Sequence, residues 1–242
     1  MIPARIIRNM EKITVATFNI RHGRDAGLDW GVLADAIALS NADAVGVQEV
    51  DMFTNRVGGA DSLKGLSEAT GMPYALFVPA MDFDGGQYGT AILSRYPIAA
   101  AEYHPLPSAH YEPRAFGCVT LDLGEGRTVA FLNTHLSYES AEQQSIQMAY
   151  LADWMAGHLP ADIPAVLTGD FNTEDFTMFS PLTDRGYATA NCADREFKTF
   201  RTNPVAIDNI VYTAASLTPV ERGMIDKNTS DHNLLWCRFQ IN

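Results

Sequence analysis

An α/β fold is the architecture this sequence predicts. Three observations predict it: short apolar runs rich in Val, Ile and Leu, the abrupt polar stop that ends each run, and stretches of helical spacing between some of them. Near-continuous apolar runs are the pattern of strands buried on both faces. They occupy residues 14–20, 44–49, 89–94, 128–133, 165–170, 207–212 and 234–239. Helical spacing marks residues 30–39, residues 62–70 closed by Gly71, and residues 140–158. In the last of these, Ile146, Met148, Tyr150, Leu151, Trp154 and Met155 supply the apolar positions. The alternation places helices outside buried sheets, while strand order and the number of sheets do not follow from it.

The chain has 242 residues, 47% hydrophobic and 19% charged, which excludes fibrous and wholly disordered classes. No repeat or linker divides it, so residues 11–242 are expected to form one domain, with residues 1–10 disordered or loosely packed. Against 17 Lys and Arg stand 29 Asp and Glu, a net charge of −12 that disfavours salt-sensitive binding of long nucleic acid. No apolar run approaches the roughly 18–20 residues of a membrane span. The N-terminus lacks the apolar segment of a secretory signal, Met10 is a candidate natural start, and a cytoplasmic monomer is expected. Cys118, Cys192 and Cys237 form no paired-cysteine motif and are expected to be reduced, partly buried thiols.

The polar residues that end the runs are a biased set: Asn19, Glu49, Asn133, His135, Asp170, Asn172, Asp208, Asp231 and His232. Each alone reads as a turn or cap residue. Together they concentrate metal-ligating and proton-transferring groups where strands end.

The segments carrying them are Thr17-Phe18-Asn19-Ile20, Gln48-Glu49-Val50, Tyr88 through Ser94, Asn133-Thr134-His135-Leu136, Gly169-Asp170-Phe171-Asn172, Ile207-Asp208-Asn209-Ile210 and Ser230-Asp231-His232. In this order they resemble the endonuclease/exonuclease/phosphatase superfamily, the deoxyribonuclease I-like proteins. The resemblance implies a four-layer α/β/β/α sandwich, two mixed β-sheets packed face to face with helices outside. It also implies Mg²⁺- or Mn²⁺-dependent cleavage of a phosphate ester by water attack.

The residue chemistry agrees. Glu49 and Asp231 are hard oxygen donors of the kind a Mg²⁺ site uses, and Asn19 adds a neutral carbonyl or holds a bound water. The resemblance makes Glu49 the principal metal ligand, with Asn19 and Asp231 completing or supporting the site. Asp170 and Asn172 alternate around Phe171, so an extended segment projects both to one side. The resemblance assigns them to the attacking water, with a second metal as the alternative. It makes His232 either a phosphate contact or a general acid, oriented by Asp208, and gives His135 a second phosphate contact supported by Asn133. Arg114 stands where related sequences contact the scissile phosphate, and its alternative is an ion pair with Glu112. Arg56 and Tyr88 are candidates for the substrate rim.

The resemblance gives the bond type and leaves the substrate open. No stretch clusters Lys and Arg, and residues 80–86 and 122–125 are acidic, which favours a small or terminal phosphodiester or phosphomonoester. The alternative is an endo- or exonuclease acting on DNA or RNA, which requires Arg24, Arg56, Arg114 and Arg201 to gather into one patch. A catalytically silent module would be expected to lack one of Glu49, Asp170, Asp208, Asp231 or His232, and all are present.

Overall fold

Strand pairing organises the chain into two sheets. The structure, a computed structural model, describes residues 12–191 and 197–242. The expectations for residues 1–10, for Met10 and for Cys192 lie outside them. The strands are β1 (Lys12–Asn19), β2 (Ala44–Met52), β3 (Tyr74–Phe83), β4 (Gly86–Ser94), β5 (Ile98–Leu106), β6 (Arg114–Gly124), β7 (Arg127–His135), β8 (Ala165–Asp170), β9 (Tyr187–Thr189), β10 (Asp208–Thr213), β11 (Leu217–Ile225) and β12 (Leu234–Ile241). The helices are α1 (Trp30–Leu39), α2 (Ser62–Thr70), α3 (Ala141–His158) and the single turn α4 (Ser180–Thr183). The first sheet runs β11-β12-β1-β2-β4-β3 and the second β5-β6-β7-β8-β10-β9.

Three cores separate four layers. Ile13, Val15, Phe131, Val166, Ile210 and Phe239 meet between the sheets. Phe18, Val45 and Val47 pack on Leu33 and Ile37 of α1 and Leu66 of α2. Leu132 and Leu167 pack on Met148, Leu151 and Met155 of α3. The molecule is therefore the expected α/β/β/α sandwich, with mixed sheets: β1 is parallel to β2, β7 is parallel to β8, and the other pairings are antiparallel. No helix among the described residues is long and apolar enough to cross a membrane.

Local chemistry sets the helix ends. Asp29, Asp61 and Ser140 cap α1, α2 and α3 by accepting from the backbone N–H groups of Gly31, Lys64 and Gln143. Gly71 stops α2 in the left-handed conformation, φ +64°. The buried face of α3 differs from the apolar pattern. Ile146 and Tyr150 are exposed, while Gln143, Gln144 and Gln147 are buried. These glutamines satisfy loop backbone. Gln147 accepts from Ser137 N at 2.8 Å, Gln144 donates to Ser137 O and Asn172 O, and Gln143 donates to Pro107 O. Cys118 and Cys237 are buried and form no disulfide among the described residues, and burial with the nearby Glu102 charge pushes the Cys118 thiol up to about 12.

Beneath the strand ends the sheets meet through a polar seam rather than aliphatic packing. Gln48 donates to Thr17 Oγ1 at 2.9 Å and to Asn133 Oδ1 at 2.7 Å. Asn133 donates to the carbonyls of Val47 and Ala91 in the opposite sheet, at 3.0 and 2.9 Å. Thr168 donates to Leu132 O and to Asn133 Oδ1. Gly46 makes this approach possible, because a Cβ there would overlap Thr168 Oγ1 and Asn133 Oδ1. Gly46→Ala should therefore destabilise by about 1–3 kcal/mol through overpacking. Gly157→Ala, in open space on α3, should be neutral or stabilise by about 0.4–1 kcal/mol. Urea unfolding of both variants checks this, and equal effects would contradict the seam.

Candidate active site

Glu49 reaches the cleft through an irregularity in β2. Val45 and Val47 face the helices, and strict alternation would send residue 49 the same way. Instead the register with β4 slips between Gln48 and Val50, and Val50 takes the helix-side position. Glu49 is the extra residue, at φ +57°. Such a left-handed non-glycine residue stores roughly 1–3 kcal/mol of strain, and the surrounding pairing holds it there. Gln48 faces the second sheet by ordinary alternation, and the bulge adds Glu49 to the cleft side.

Strand register assembles the other half. β8 ends at Asp170, which pairs with His135 of β7 and Asp208 of β10. Asn19, the last residue of β1, is fully buried and donates to Asp170 Oδ2 and Glu49 Oε1, each at 3.0 Å. Its Oδ1 accepts from Arg21 N at 3.0 Å. The same Asp170 Oδ2 lies 3.5 Å from His135 Nε2 and 3.6 Å from His232 Nε2. His232 Nδ1 is 2.8 Å from Asp208 Oδ2, and His135 Nδ1 is 3.1 Å from Arg114 Nη1. Because the guanidinium can only donate, His135 Nδ1 is the acceptor and its proton sits on Nε2, facing Asp170.

These contacts drive the two histidines apart. Burial and the Arg114 charge hold His135 well below the ordinary histidine value, so it is neutral. Burial also opposes a cation at His232, but the carboxylates of Asp208 and Asp170 outweigh it and raise that histidine. Burial and the charge of Asp208 push Asp170 upward. Glu49 moves the other way. Burial works against its carboxylate, yet the His22 ring, 3.8 Å away, and the Asn19 amide hold it at about 2.

Seven of the expected residues, Glu49, Arg114, His135, Asp170, Asn172, Asp231 and His232, line one cleft of about 410 Å³. Asn19 and Asp208 stand behind it, bonded to residues that face it. Arg114 makes the alternative ion pair with Glu112, 3.0 Å, while remaining buried in the cleft wall. Two expectations change. Residue 172 is not extended: its φ is +53°, and its amide donates to Leu136 O at 2.9 Å. Asn133 supports the facing sheet, as described above, rather than His135. Arg56 and Tyr88 do line the cleft.

Several contributors carry no motif. Residues 199–201 run beside Asp231 and His232: Asn233 N donates to Thr199 O at 2.7 Å, and Arg201 N donates to Asp231 O at 2.8 Å. Thr199 Oγ1 accepts from Asp208 N, and the Phe200 ring leans on the His232 ring, centroids 5.0 Å apart. Arg21 Nε holds Asp231 Oδ2 at 3.3 Å. Arg21 and His22 both have positive φ, a turn directly after the Asn19 segment.

Two donor sets suit a metal ion. Asp170, Asp208 and His232 place three ligand atoms within 4.8 Å of one another. There the His232–Asp208 hydrogen bond already fills the space between two of those groups. Glu49 and Asp231 remain partly exposed, 25% and 18%, and offer hard carboxylate oxygens to the cleft, with an open side for water and a phosphate.

Residues 16–232 match the sequence model of the Endonuclease/Exonuclease/phosphatase family. The uncharacterized protein YbhP of Escherichia coli (strain K12) is 28% identical over 148 residues, 58% of this chain and 57% of that protein, so the match spans little more than half of that curated relative. An endonuclease/exonuclease/phosphatase structure from Beutenbergia cavernae superposes with a TM-score of 0.80 at 21% identity, covering 96% of this chain and 72% of that one. The human Nocturnin catalytic domain with bound sulfate anion gives 0.75 at 20% identity, covering 96% and 95%. At these identities the structures show a shared fold.

The His232–Asp208 contact can be read directly. In metal-free protein the His232 imidazole, followed by NMR, should stay protonated well above the ordinary value of about 6.5, and Asp208→Asn should return it toward that value. A raised histidine pKa stabilises the fold fully below its unfolded value, and the contribution is lost as pH rises through the folded value. Titration of the wild-type ring at or below about 6.5 would contradict the assignment.

Proposed function

The chain belongs to the Endonuclease/Exonuclease/phosphatase family, and from that premise we propose that it is a divalent-metal-dependent hydrolase that cleaves a phosphate ester by water attack. The observation that carries this reading is the convergence on Asp170 Oδ2 of the Asn19 amide and the two histidines, in a cleft that also presents Glu49 and Asp231. Glu49 and Asp231 would hold Mg²⁺ or Mn²⁺, with Asn19 fixing the Glu49 carboxylate. When bound, the ion supplies positive charge to the phosphoryl oxygens.

The protein groups do the rest. Asp170, raised by burial, accepts the proton of the attacking water, since a general base works best with a pKa near the operating pH. Asn172 donates its backbone N–H to Asp170 Oδ1 at 3.0 Å and holds that carboxylate's orientation. His232, kept cationic by Asp208, faces the phosphate as a contact or as the acid that protonates the leaving oxygen. Neutral His135 donates from Nε2, and Arg114, fixed by Glu112 and His135, offers its remaining N–H groups to a phosphoryl oxygen.

The cleft's volume lies in the range of small-molecule sites, about 300–1,000 Å³, which supports a small or terminal ester. Charge agrees. Arg21 is paired with Asp25 and Asp231, Arg56 with Asp51, Arg114 with Glu112 and Arg201 with Asp226, so the arginines near the mouth do not sum to a basic ridge. Arg24 and Arg201 do not line the cleft among the described residues. A cytoplasmic monomer belongs to the same proposal.

The test is turnover of generic phosphodiesters, phosphomonoesters, inositol phosphates and single- and double-stranded DNA with Mg²⁺ or Mn²⁺. Chelation should abolish turnover. Glu49→Gln, which keeps volume and removes a charge, should weaken metal binding by at least the about 10–100-fold typical of a disturbed metal site. Full activity in excess chelator, or unchanged metal affinity in the variant, would overturn the reading. Preference for duplex DNA at physiological salt would replace the small-ester substrate with a nuclease role.

A further inference from the structure

We propose that the cleft wall formed by Arg56, Phe83 and Tyr88 is a subsite for the alcohol portion of the ester, and that it takes a neutral, hydroxyl-bearing group of the sugar or polyol class. The inference rests on ester hydrolysis at the same cleft. It goes further by assigning a wall that the reaction itself leaves unused.

The wall is built and rigid. Asp51, fully buried, accepts from Arg56 Nε at 2.5 Å and Nη2 at 2.7 Å, and from Thr54 Oγ1 at 2.6 Å. Arg56 N donates to Asp84 Oδ2 at 2.8 Å. The guanidinium lies over two rings, its Cζ 4.5 Å from the Phe83 centroid and 5.5 Å from that of Tyr88. Pinned on one edge and one face, Arg56 still has a partly exposed side chain, and no partner among the described residues takes its Nη1 hydrogens. A surface arginine kept only for charge needs neither a buried bidentate carboxylate nor a double aromatic stack.

Charge decides what such a wall accepts. Asp51 cancels Arg56, Glu112 is cancelled by Arg114, and Asp84 and Glu49 add negative charge around it. A second phosphate or a nucleic acid backbone would meet a potential that is neutral to negative. A hydroxyl oxygen, by contrast, needs only a donor, which Nη1 supplies, and the half-buried faces of Phe83 and Met81 suit the C–H face of a polyol. Position agrees as well. In-line displacement puts the attacking and leaving oxygens on opposite sides of phosphorus. Asp170 ends a strand of the second sheet and Asn172 follows it, whereas Phe83 and Tyr88 stand on β3 and β4 at the edge of the first and Arg56 in the turn after β2.

The experiment compares glucose 6-phosphate with glucose 1,6-bisphosphate, using inorganic phosphate as a competitive probe of the phosphate position alone. Variants are Arg56→Lys, which keeps the charge opposite Asp51 but loses the fork, and Phe83→Leu, which leaves the ion pair intact. Wild type should favour the monophosphate by about tenfold in kcat/KM. Each variant should raise its KM about tenfold while kcat and the inhibition constant of inorganic phosphate stay within about twofold. Preference for the bisphosphate, or a phosphate constant that moves with KM, would overturn the subsite by placing Arg56 at the phosphate itself. If no ester is turned over, the hydrolytic reading fails separately and binding decides. NMR titration of glucose 6-phosphate should then show affinity about tenfold weaker in Phe83→Leu than in wild type, and equal or absent binding overturns the subsite.

Discussion

One amide holds the two halves of this site together. Asn19, at the end of a strand in the first sheet, gives one hydrogen to Glu49 of its own sheet and another to Asp170 of the second. Two carboxylates that would repel in a buried cleft are thereby set at a fixed separation, each bound to the same neutral donor. The seam below repeats the arrangement, with Gln48 donating to Asn133 and Asn133 donating to the Val47 and Ala91 carbonyls across the sheets, where aliphatic packing would otherwise lie. Burying so many polar groups is tolerable because most of them bond to one another or to backbone, and connected networks specify a single arrangement. The relative placement of the sheets, and hence the width of the cleft, depends on these bonds.

Electrostatic division of labour follows from that placement. Asp170 lies between two histidines whose second nitrogens face opposite partners, a guanidinium for His135 and a carboxylate for His232. One ring is therefore neutral and the other cationic, although both touch the same carboxylate. Titratable groups pushed in opposite directions by their surroundings are the mark of acid and base roles. Away from Asp170 the same economy pairs Arg21, Arg56, Arg114 and Arg201 each with a carboxylate.

The fold and the chemistry were legible in the sequence to different depths. Strands buried on both faces, such as β1, β2, β7 and β8, announce themselves as apolar runs. β5 and β11 do not, because they are edge strands exposed over runs of consecutive residues, with polar residues among their apolar ones. The candidate site residues were visible because strand ends collect them, and nearly all converge. What pattern reading could not supply was backbone geometry. Nothing in the Gln48-Glu49-Val50 spacing shows a bulge that reverses strand parity, and nothing in Asp170-Phe171-Asn172 shows that residue 172 is left-handed. The buried glutamines of α3 were equally hidden, since hydropathy scores them as surface residues while their amides satisfy loop backbone. Phe200 and Thr199 belong to no motif and matter only because pairing lays them against His232 and Asp208.

Asn19 is the residue on which the joined site depends most directly. The decisive measurement is Asn19→Ala, with metal affinity from calorimetry, kcat at saturating metal and thermal stability taken on the same preparation. Loss of a bridge that orients both carboxylates should weaken metal binding and lower kcat per folded molecule together, each by about tenfold or more. A variant that loses stability yet keeps wild-type metal affinity and wild-type kcat would show that Asn19 only supports its strand, and would contradict the claim that one amide joins the two halves of the site.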